Sequence, residues 1–174
     1  MRRINILGSA GSGKSTLARR LGEKLHLPII NLDRLFWEPG WQKADKAVFR
    51  QRVEQAVSGE AWICEGNYAS QTFALRMPRA ELTVWLDTPR LICALRVAWR
   101  SMRTTDRPDL PAGCREGNVK NAVELVRDAW QFDAKQRARI EAELAHWSAA
   151  GTITRLRSGD EIADLLSSIR AQDR

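Results

Sequence analysis

Apolar residues along this chain follow two rhythms, and their alternation predicts the fold. Short apolar runs occupy residues 28–32, 61–64 and 82–86, and further short strands are read at 3–7 and 152–156. Each is bounded by polar or helical sequence, so each is expected as a buried parallel strand. Between the runs the spacing changes. Leu17, Leu21 and Leu25 recur at i, i+4 and i+8, a helix period. Further helices are expected over 44–58, 90–104, 119–147 and 160–169. Strands alternating with helices in this way give an α/β fold, a doubly wound sheet with helices on both faces.

Two of the helical segments carry more than a packing face. In the first, Ile92, Leu95, Trp99 and Met102 form an apolar stripe that is expected to be buried. Arg96, Arg100 and Arg103 each lie one residue further on, about 100° round the helix, and so flank that stripe. Pro108 disfavours helix at Arg107. With Pro111 and Gly113 it marks a loop of about ten residues, long enough for a lid near 104–118. In the second segment Val119, Val123, Val126 and Trp130, then Ile140, Leu144 and Trp147, keep a 4-3-4 spacing. The same rhythm carried through the middle lands on Asp133 and Arg137. That polar pair reads two ways: an i,i+4 ion pair where the helix changes face, or a stretch facing a polar cleft with Arg137 reaching into it.

Composition narrows the class. The 174 residues fit one domain, and 44% apolar content supplies a core. The net charge is +7, with 22 Arg against 6 Lys. A basic balance points to an anionic partner, and arginine offers a planar fork for phosphate or carboxylate. Three well-separated cysteines, Cys64, Cys93 and Cys114, make neither a disulfide framework nor a paired zinc site, so a cytoplasmic setting is expected. No apolar run approaches the ~20 residues of a membrane helix. The start of the chain lacks a signal-peptide core. Trp62, Trp85 and Trp99 fall in strands or apolar stripes and are expected in the core.

The chemistry begins directly after the first strand. Gly8-Ser9-Ala10-Gly11-Ser12-Gly13-Lys14-Ser15 matches G-x-x-x-x-G-K-[ST] between a strand and a helix. The glycines let successive N–H groups turn toward phosphate oxygens, and the helix N-terminus adds its positive dipole end. Lys14 is placed to reach the β- and γ-phosphates of ATP, and the Ser15 hydroxyl to hold Mg²⁺. Three later strands run into acids: Asp33, Glu65 and Asp87. All fall at the carboxyl edge where open parallel sheets bind ligands. Glu65 or Asp33 is a candidate to hold a metal-bound water. Asp33 is also a candidate to orient an acceptor hydroxyl or take its proton. Asp87 is expected to do no more than cap a strand end. Trp37, Trp41 and Tyr68 lie in loops nearby, where they either stack on a flat ligand or form a small satellite core.

On these motifs the chain resembles the adenylate-kinase-like P-loop kinases. More narrowly, it resembles the small bacterial topology modulation proteins. The matching stretches are residues 8–16, Leu32-Asp33-Arg34-Leu35-Phe36-Trp37 with Pro39-Gly40-Trp41, Glu65-Gly66-Asn67-Tyr68, Trp85-Leu86-Asp87 and Arg107-Pro108-Asp109. That family usually has Asp where this chain has Glu65. The resemblance implies a three-layer P-loop NTPase fold with five parallel strands in the order 2-3-1-4-5 and a short Arg-bearing lid. It implies an ATP site over Gly8, Gly11, Ser12, Gly13, Lys14, Ser15 and Thr16. An acceptor would bind between strands 2 and 3. Arg96, Arg100 and a lid arginine, Arg107 or Arg115, would neutralise the transferring phosphoryl, joined by Arg137. Arg157, after strand 5, is expected to pack on the nucleotide base. The function so implied is γ-phosphoryl transfer from Mg·ATP to a nucleotide or small hydroxylated metabolite. The alternative is a nucleic-acid-associated ATP-binding protein, with Arg2, Arg3, Arg19 and Arg20 forming a face for DNA. Monomer and homodimer both remain open.

Overall fold

A computed structural model describes residues 1–101 and 119–169. The strands are β1 (Arg3–Gly8), β2 (Ile29–Asn31), β3 (Trp37–Glu38), β4 (Gln42–Lys43), β5 (Trp62–Glu65), β6 (Leu82–Leu86) and β7 (Thr152–Leu156). Five of them form a parallel sheet in the order β2-β5-β1-β6-β7. Counted within that sheet alone the order is 2-3-1-4-5. The numbering differs only because an antiparallel hairpin, β3-β4, intervenes between strands 2 and 3 of the sheet. Its strands are two residues each, too short to carry an alternating pattern.

The helices are α1 (Lys14–Leu25), α2 (Leu32–Phe36), α3 (Lys46–Ala56), α4 (Ala69–Arg76), α5 (Arg90–Ser101), α6 (Val119–Phe132), α7 (Ala138–His146) and α8 (Gly159–Ser168). A π-helical turn, Asp133–Arg137, joins α6 to α7. Neither α2 nor α4 was expected. Each is at most eight residues, shorter than the window over which helix periodicity shows. Capping explains where α2 and α3 begin. The Asn31 side chain accepts from the Asp33 and Arg34 N–H groups, and Asp45 does the same for Ala47 and Val48.

Side-chain alternation along the strands sorts the core into two layers. Ile4 and Ile6, Ile63, and Leu82, Val84 and Leu86 face α1 and α8, meeting Leu17, Ala18, Leu21 and Leu166. On the opposite face Trp62 and Cys64 pack with Phe49 and Val53 of α3. Further along, Leu7 and Trp85 meet Phe73, Phe132, Ile140 and Leu144. Trp62 and Trp85 are thus core residues, as expected.

Helix α5 corrects the sequence reading. Leu91, Ile92, Leu95 and Trp99 are exposed, and Trp99 is 58% accessible rather than core. The buried residues are Cys93, Ala94 and Val97. The phosphate loop approaches this helix so closely that a Cβ on Gly11 would lie 2.4 Å from the Cys93 carbonyl. Only small side chains fit such a contact, so the large apolar ones face outward. On α6 likewise, Ala129 and Phe132 are buried while Val123 and Trp130 are exposed. The Arg90 guanidinium lies 4.5 Å over the Trp130 ring.

The strand ends that carry the chemistry line up. Gly8 pairs with Leu86, and Glu65 pairs with both Ile6 and Asn31. The lid expected at 104–118 lies outside the described residues, with Arg103, Arg107 and Arg115. Among the described residues no helix is long and apolar enough to cross a membrane.

Candidate active site

The phosphate loop leaves β1 at Gly8 and enters α1 at Lys14. Gly11 has φ +78° and no room for a Cβ, so both conformation and space demand glycine there. Neighbouring side chains hold the loop by its carbonyls. Asn67 Nδ2 donates to Gly8 O at 2.9 Å, and the Gly8 N–H donates back to Asn67 Oδ1 at 3.0 Å. Thr88 Oγ1 donates to Ser12 O at 3.2 Å. Arg96 Nη1 reaches Gly11 O at 3.4 Å, and Lys14 Nζ donates to Ser9 O at 2.9 Å. In a trans peptide the N–H points opposite to the carbonyl, so holding Ser12 O turns the Gly13 N–H the other way. The Ser12 hydroxyl is buried without a hydrogen-bond partner among the described residues. An oxyanion at the loop would satisfy it, so these residues fit a nucleotide phosphate.

Glu65 stands beside Ser15. The Ser15 hydroxyl donates to Glu65 Oε1 at 2.9 Å, and Asn31 Nδ2 donates to the same oxygen at 2.7 Å. Glu65 is 4% exposed. A serine hydroxyl backed by a buried carboxylate fits a Mg²⁺ site, because Mg²⁺ keeps several waters and takes substrate phosphates rather than an all-protein cage. Among the described residues no group of three His, Cys, Asp or Glu side chains gathers that could hold a metal ion.

Asp33 lies across the edge, exposed, in the first turn of α2. The Tyr68 hydroxyl donates to Asp33 Oδ1 at 2.6 Å. Burial raises the Tyr68 phenol far above its ordinary pKa, and the Asp33 charge adds to the shift, so Tyr68 remains a donor. Behind this pair the rings of Phe36, Phe49 and Tyr68 pack at centroid distances of 4.8–5.1 Å. Trp37 packs edge-on to Phe36 at 5.0 Å and to Trp41 at 5.6 Å. The aromatic residues therefore form a satellite core under the Asp33–Tyr68 pair.

The arginines divide. Arg96 and Arg100 border the inward face of α5, with Arg96 on the loop as described. Arg137 extends from the π turn to Asp87 Oδ1 at 2.5 Å and to Asp133 Oδ1 at 2.9 Å. The i,i+4 ion pair posed for that polar pair is thus present, and the same guanidinium also pairs with Asp87 at the end of β6. Asp87 does more than cap a strand. Arg155 Nη2 meets its Oδ2 at 2.6 Å and Arg157 Nε at 3.4 Å. The Arg137 and Arg155 guanidiniums also lie 5.4 and 4.3 Å from the Trp85 ring centroid. Burial alone would raise the Asp87 carboxyl, but hydrogen bonds and charge from Arg137 and Arg155 outweigh it and hold the pKa below the usual value. Arg157 is mostly exposed. Thr16 is exposed in the first turn of α1. Of the DNA-face candidates, Arg3 is engaged by Glu60 and Glu81, while Arg19 and Arg20 are exposed.

Sequence reasoning passed over Asn31, Arg76 and Arg155. Asn31 directly precedes the Leu-Asp pair and could have been found as a helix N-cap. Arg155 sits in a strand pattern with no local signal. A shallow groove of about 570 Å³ between α1 and α8, lined by residues such as Arg20, Lys24 and Leu166, is remote from all these groups.

No protein-family model matches the chain. A cytidylate kinase of Methanobrevibacter smithii is 27% identical over 119 residues, covering 59% of this chain and 66% of that protein. One from Methanosphaera stadtmanae is 26% identical over the same length and coverage. The matched region is thus just short of two thirds of either cytidylate kinase. A shikimate kinase of Sulfurihydrogenibium sp. is 39% identical over 54 residues, 31% of this chain and 32% of that protein. Among solved structures, shikimate kinase from Acinetobacter baumannii in complex with shikimate matches with a TM-score of 0.54 at 20% identity. That match covers 96% of this chain and 89% of that one. The fold is therefore that of shikimate kinase, a P-loop α/β fold. The similar proteins are adenylate-kinase-like P-loop kinases, so the resemblance holds at that level. The narrower likeness to topology modulation proteins is not shown by them.

Proposed function

We propose that this protein is an ATP- and Mg²⁺-dependent phosphotransferase acting on a small acceptor, a nucleotide or a hydroxylated metabolite. The observation that carries this reading is the pairing of Ser15 with Glu65 at 2.9 Å, with Asp33 held by Tyr68 across the same sheet edge. The likeness to cytidylate and shikimate kinases supports it.

In this reading the loop N–H groups and Lys14 bind the donor phosphates, with Lys14 leaving Ser9 O to do so. Ser15, backed by Glu65, would hold Mg²⁺, which when bound neutralises charge between the β- and γ-phosphates. Asp33 orients the acceptor hydroxyl and receives its proton. For a phosphate acceptor no base is needed, and Asp33 only orients. Arg96 and Arg100 are assigned to neutralise the transferring group, a role supported for Arg96 by its contact with Gly11 O of the phosphate loop. Arg107 and the 104–118 segment are assigned the lid role, which excludes water and suppresses ATP hydrolysis. Arg137 is assigned to the same phosphoryl group, and Arg157 to the nucleotide base.

The test is ADP release from Mg·ATP against nucleoside monophosphates, nucleosides and small hydroxylated acids, including cytidine monophosphate and shikimate. Lys14→Ala serves as the blank. One acceptor class is expected to stimulate turnover, and the blank to abolish it. ATP binding without stimulation by any acceptor would overturn the proposal. Binding to DNA that falls steeply with salt would then favour the nucleic-acid alternative.

A further inference from the structure

Arg76, at the end of α4, is fully buried. A buried guanidinium is costly unless its donors are all used, so the direction of its bonds is informative. Nε donates to Thr72 Oγ1 at 3.1 Å, and Nη1 to Asn5 Oδ1 at 3.2 Å. Nη2 donates to two successive carbonyls, Gly66 O at 2.6 Å and Asn67 O at 2.5 Å.

Drawing two adjacent carbonyls onto one nitrogen curls the backbone. Gly66 has φ +127°, and Tyr68 has φ +39°, in the left-handed region that a tyrosine rarely adopts. The curled loop makes two contacts at once. Asn67 brackets Gly8 through both its amide atoms, and Tyr68 places its hydroxyl on Asp33. One three-residue loop therefore joins the donor side of the site to the acceptor side, and a single buried cation holds it from beneath.

We propose that Arg76 is a positioning residue, which fixes the Gly66-Asn67-Tyr68 loop so that Tyr68 stands on Asp33. Its kinetic consequence rests on the phosphotransferase reading above, whereas its structural consequence does not. Removal of Arg76 leaves the contacts of Lys14, Ser15 and Thr88 in place and frees the loop, and with it both Tyr68 on Asp33 and Asn67 on Gly8.

Tyr68 is the one tyrosine in the chain, so labelling with [¹⁵N]tyrosine gives a single amide signal, from a loop peptide that Arg76 holds. Two variants of the full chain are compared with wild type. Arg76→Met keeps length and loses every donor. Arg76→Lys keeps the charge and cannot span the two carbonyls together with Thr72 and Asn5. Both are expected to displace or split the Tyr68 signal. With cytidine monophosphate or shikimate as acceptor, the acceptor KM is expected to rise about tenfold and the Mg·ATP KM by less, because Lys14, Ser15 and Thr88 keep their contacts on the phosphate-loop side. A merely structural arginine would lower the active fraction, reducing kcat with both KM values unchanged, and that result overturns the proposal. So does a Tyr68 signal that superimposes on wild type in both variants. Should Arg76→Met fail to fold, Arg76→Lys and Tyr68→Phe decide. The latter leaves Arg76 intact and is expected to give the same KM split. Should wild type phosphorylate neither acceptor, the Tyr68 signal alone decides whether Arg76 holds the loop.

Discussion

Replacing Asp87 by Asn keeps its shape and removes the charge on which three arginines converge. The two close contacts are Arg137 at 2.5 Å and Arg155 at 2.6 Å. Hydrogen bonds to a charged group contribute about 1.5–3 kcal/mol each, so the pair is worth roughly 3–6 kcal/mol before correction. The Arg137 and Arg155 side chains are 28% and 35% exposed and regain water when the carboxylate is lost. Discounting by about half for that solvation leaves about 1.5–3 kcal/mol. For a domain of this size the melting temperature should fall by about 5–10 °C. The pH dependence follows from the depressed carboxyl. Its contribution is fully present above the unfolded carboxyl pKa of about 3.9, and is lost as pH falls through the lower folded value. Thermal melts of wild type and Asp87→Asn, recorded by circular dichroism from pH 7 to pH 3, should run a constant distance apart down to about pH 4 and then converge. Equal stability at pH 7, or a gap that widens in acid, would refute this account of the cluster.

Lys14→Ala should weaken Mg·ATP binding by about a hundredfold or more, read by titration calorimetry, because a cation reaching the phosphates is lost. Glu65→Gln keeps partners for Ser15 and Asn31 but not the charge. The Mg²⁺ needed for half-maximal activity should rise about tenfold, while metal-free ATP binding is unchanged. Phe49, fully buried on α3 against Phe36 and Tyr68, should cost about 3–5 kcal/mol on replacement by Ala, measured by urea unfolding. Gly11→Ala must relieve a 2.4 Å contact with Cys93 O and adopt an unfavourable φ. ATP affinity should drop with a fall in stability of about 1–3 kcal/mol.

What could be read from the sequence was what is local. The phosphate loop is contiguous, and the strands read at 28–32, 61–64 and 82–86 are short apolar runs, so each announces itself. Their carboxyl edge then follows from parallel topology. The inner face of α5 was misread for a physical reason. Hydrophobic periodicity weights large side chains, whereas the contact with Gly11 selects small ones, Cys93 and Val97. Arg76 gave no signal because its partners are carbonyls and side chains from β1, α4 and the Gly66-Asn67 loop, and carbonyls look alike in any sequence. The Asp87 cluster is assembled from β6, the π turn and β7, segments separated by 50 and 68 residues in its two closest pairs.

The polar interruption at Asp133 and Arg137 has a geometric origin. Phe132 and Ile140 belong to one core cluster with Trp85, yet they lie eight residues apart. Two α-helical turns take up about 7.2 residues, so an unbroken helix would set Ile140 about 80° away from Phe132. A π turn uses about one residue more than an α turn and closes that gap. The turn at Asp133–Arg137 therefore lets α6 and α7 bury their apolar residues against the same face of the sheet. The extra residue also sets Arg137 where its guanidinium bonds Asp133 behind it and Asp87 at the end of β6, the strand beside the phosphate loop. A regular α-helix would still carry Phe132 and Ile140 on one broad face, as α1 does Leu17 and Leu25. The insertion brings the two closer to a common direction while the same turn carries Arg137 to Asp87.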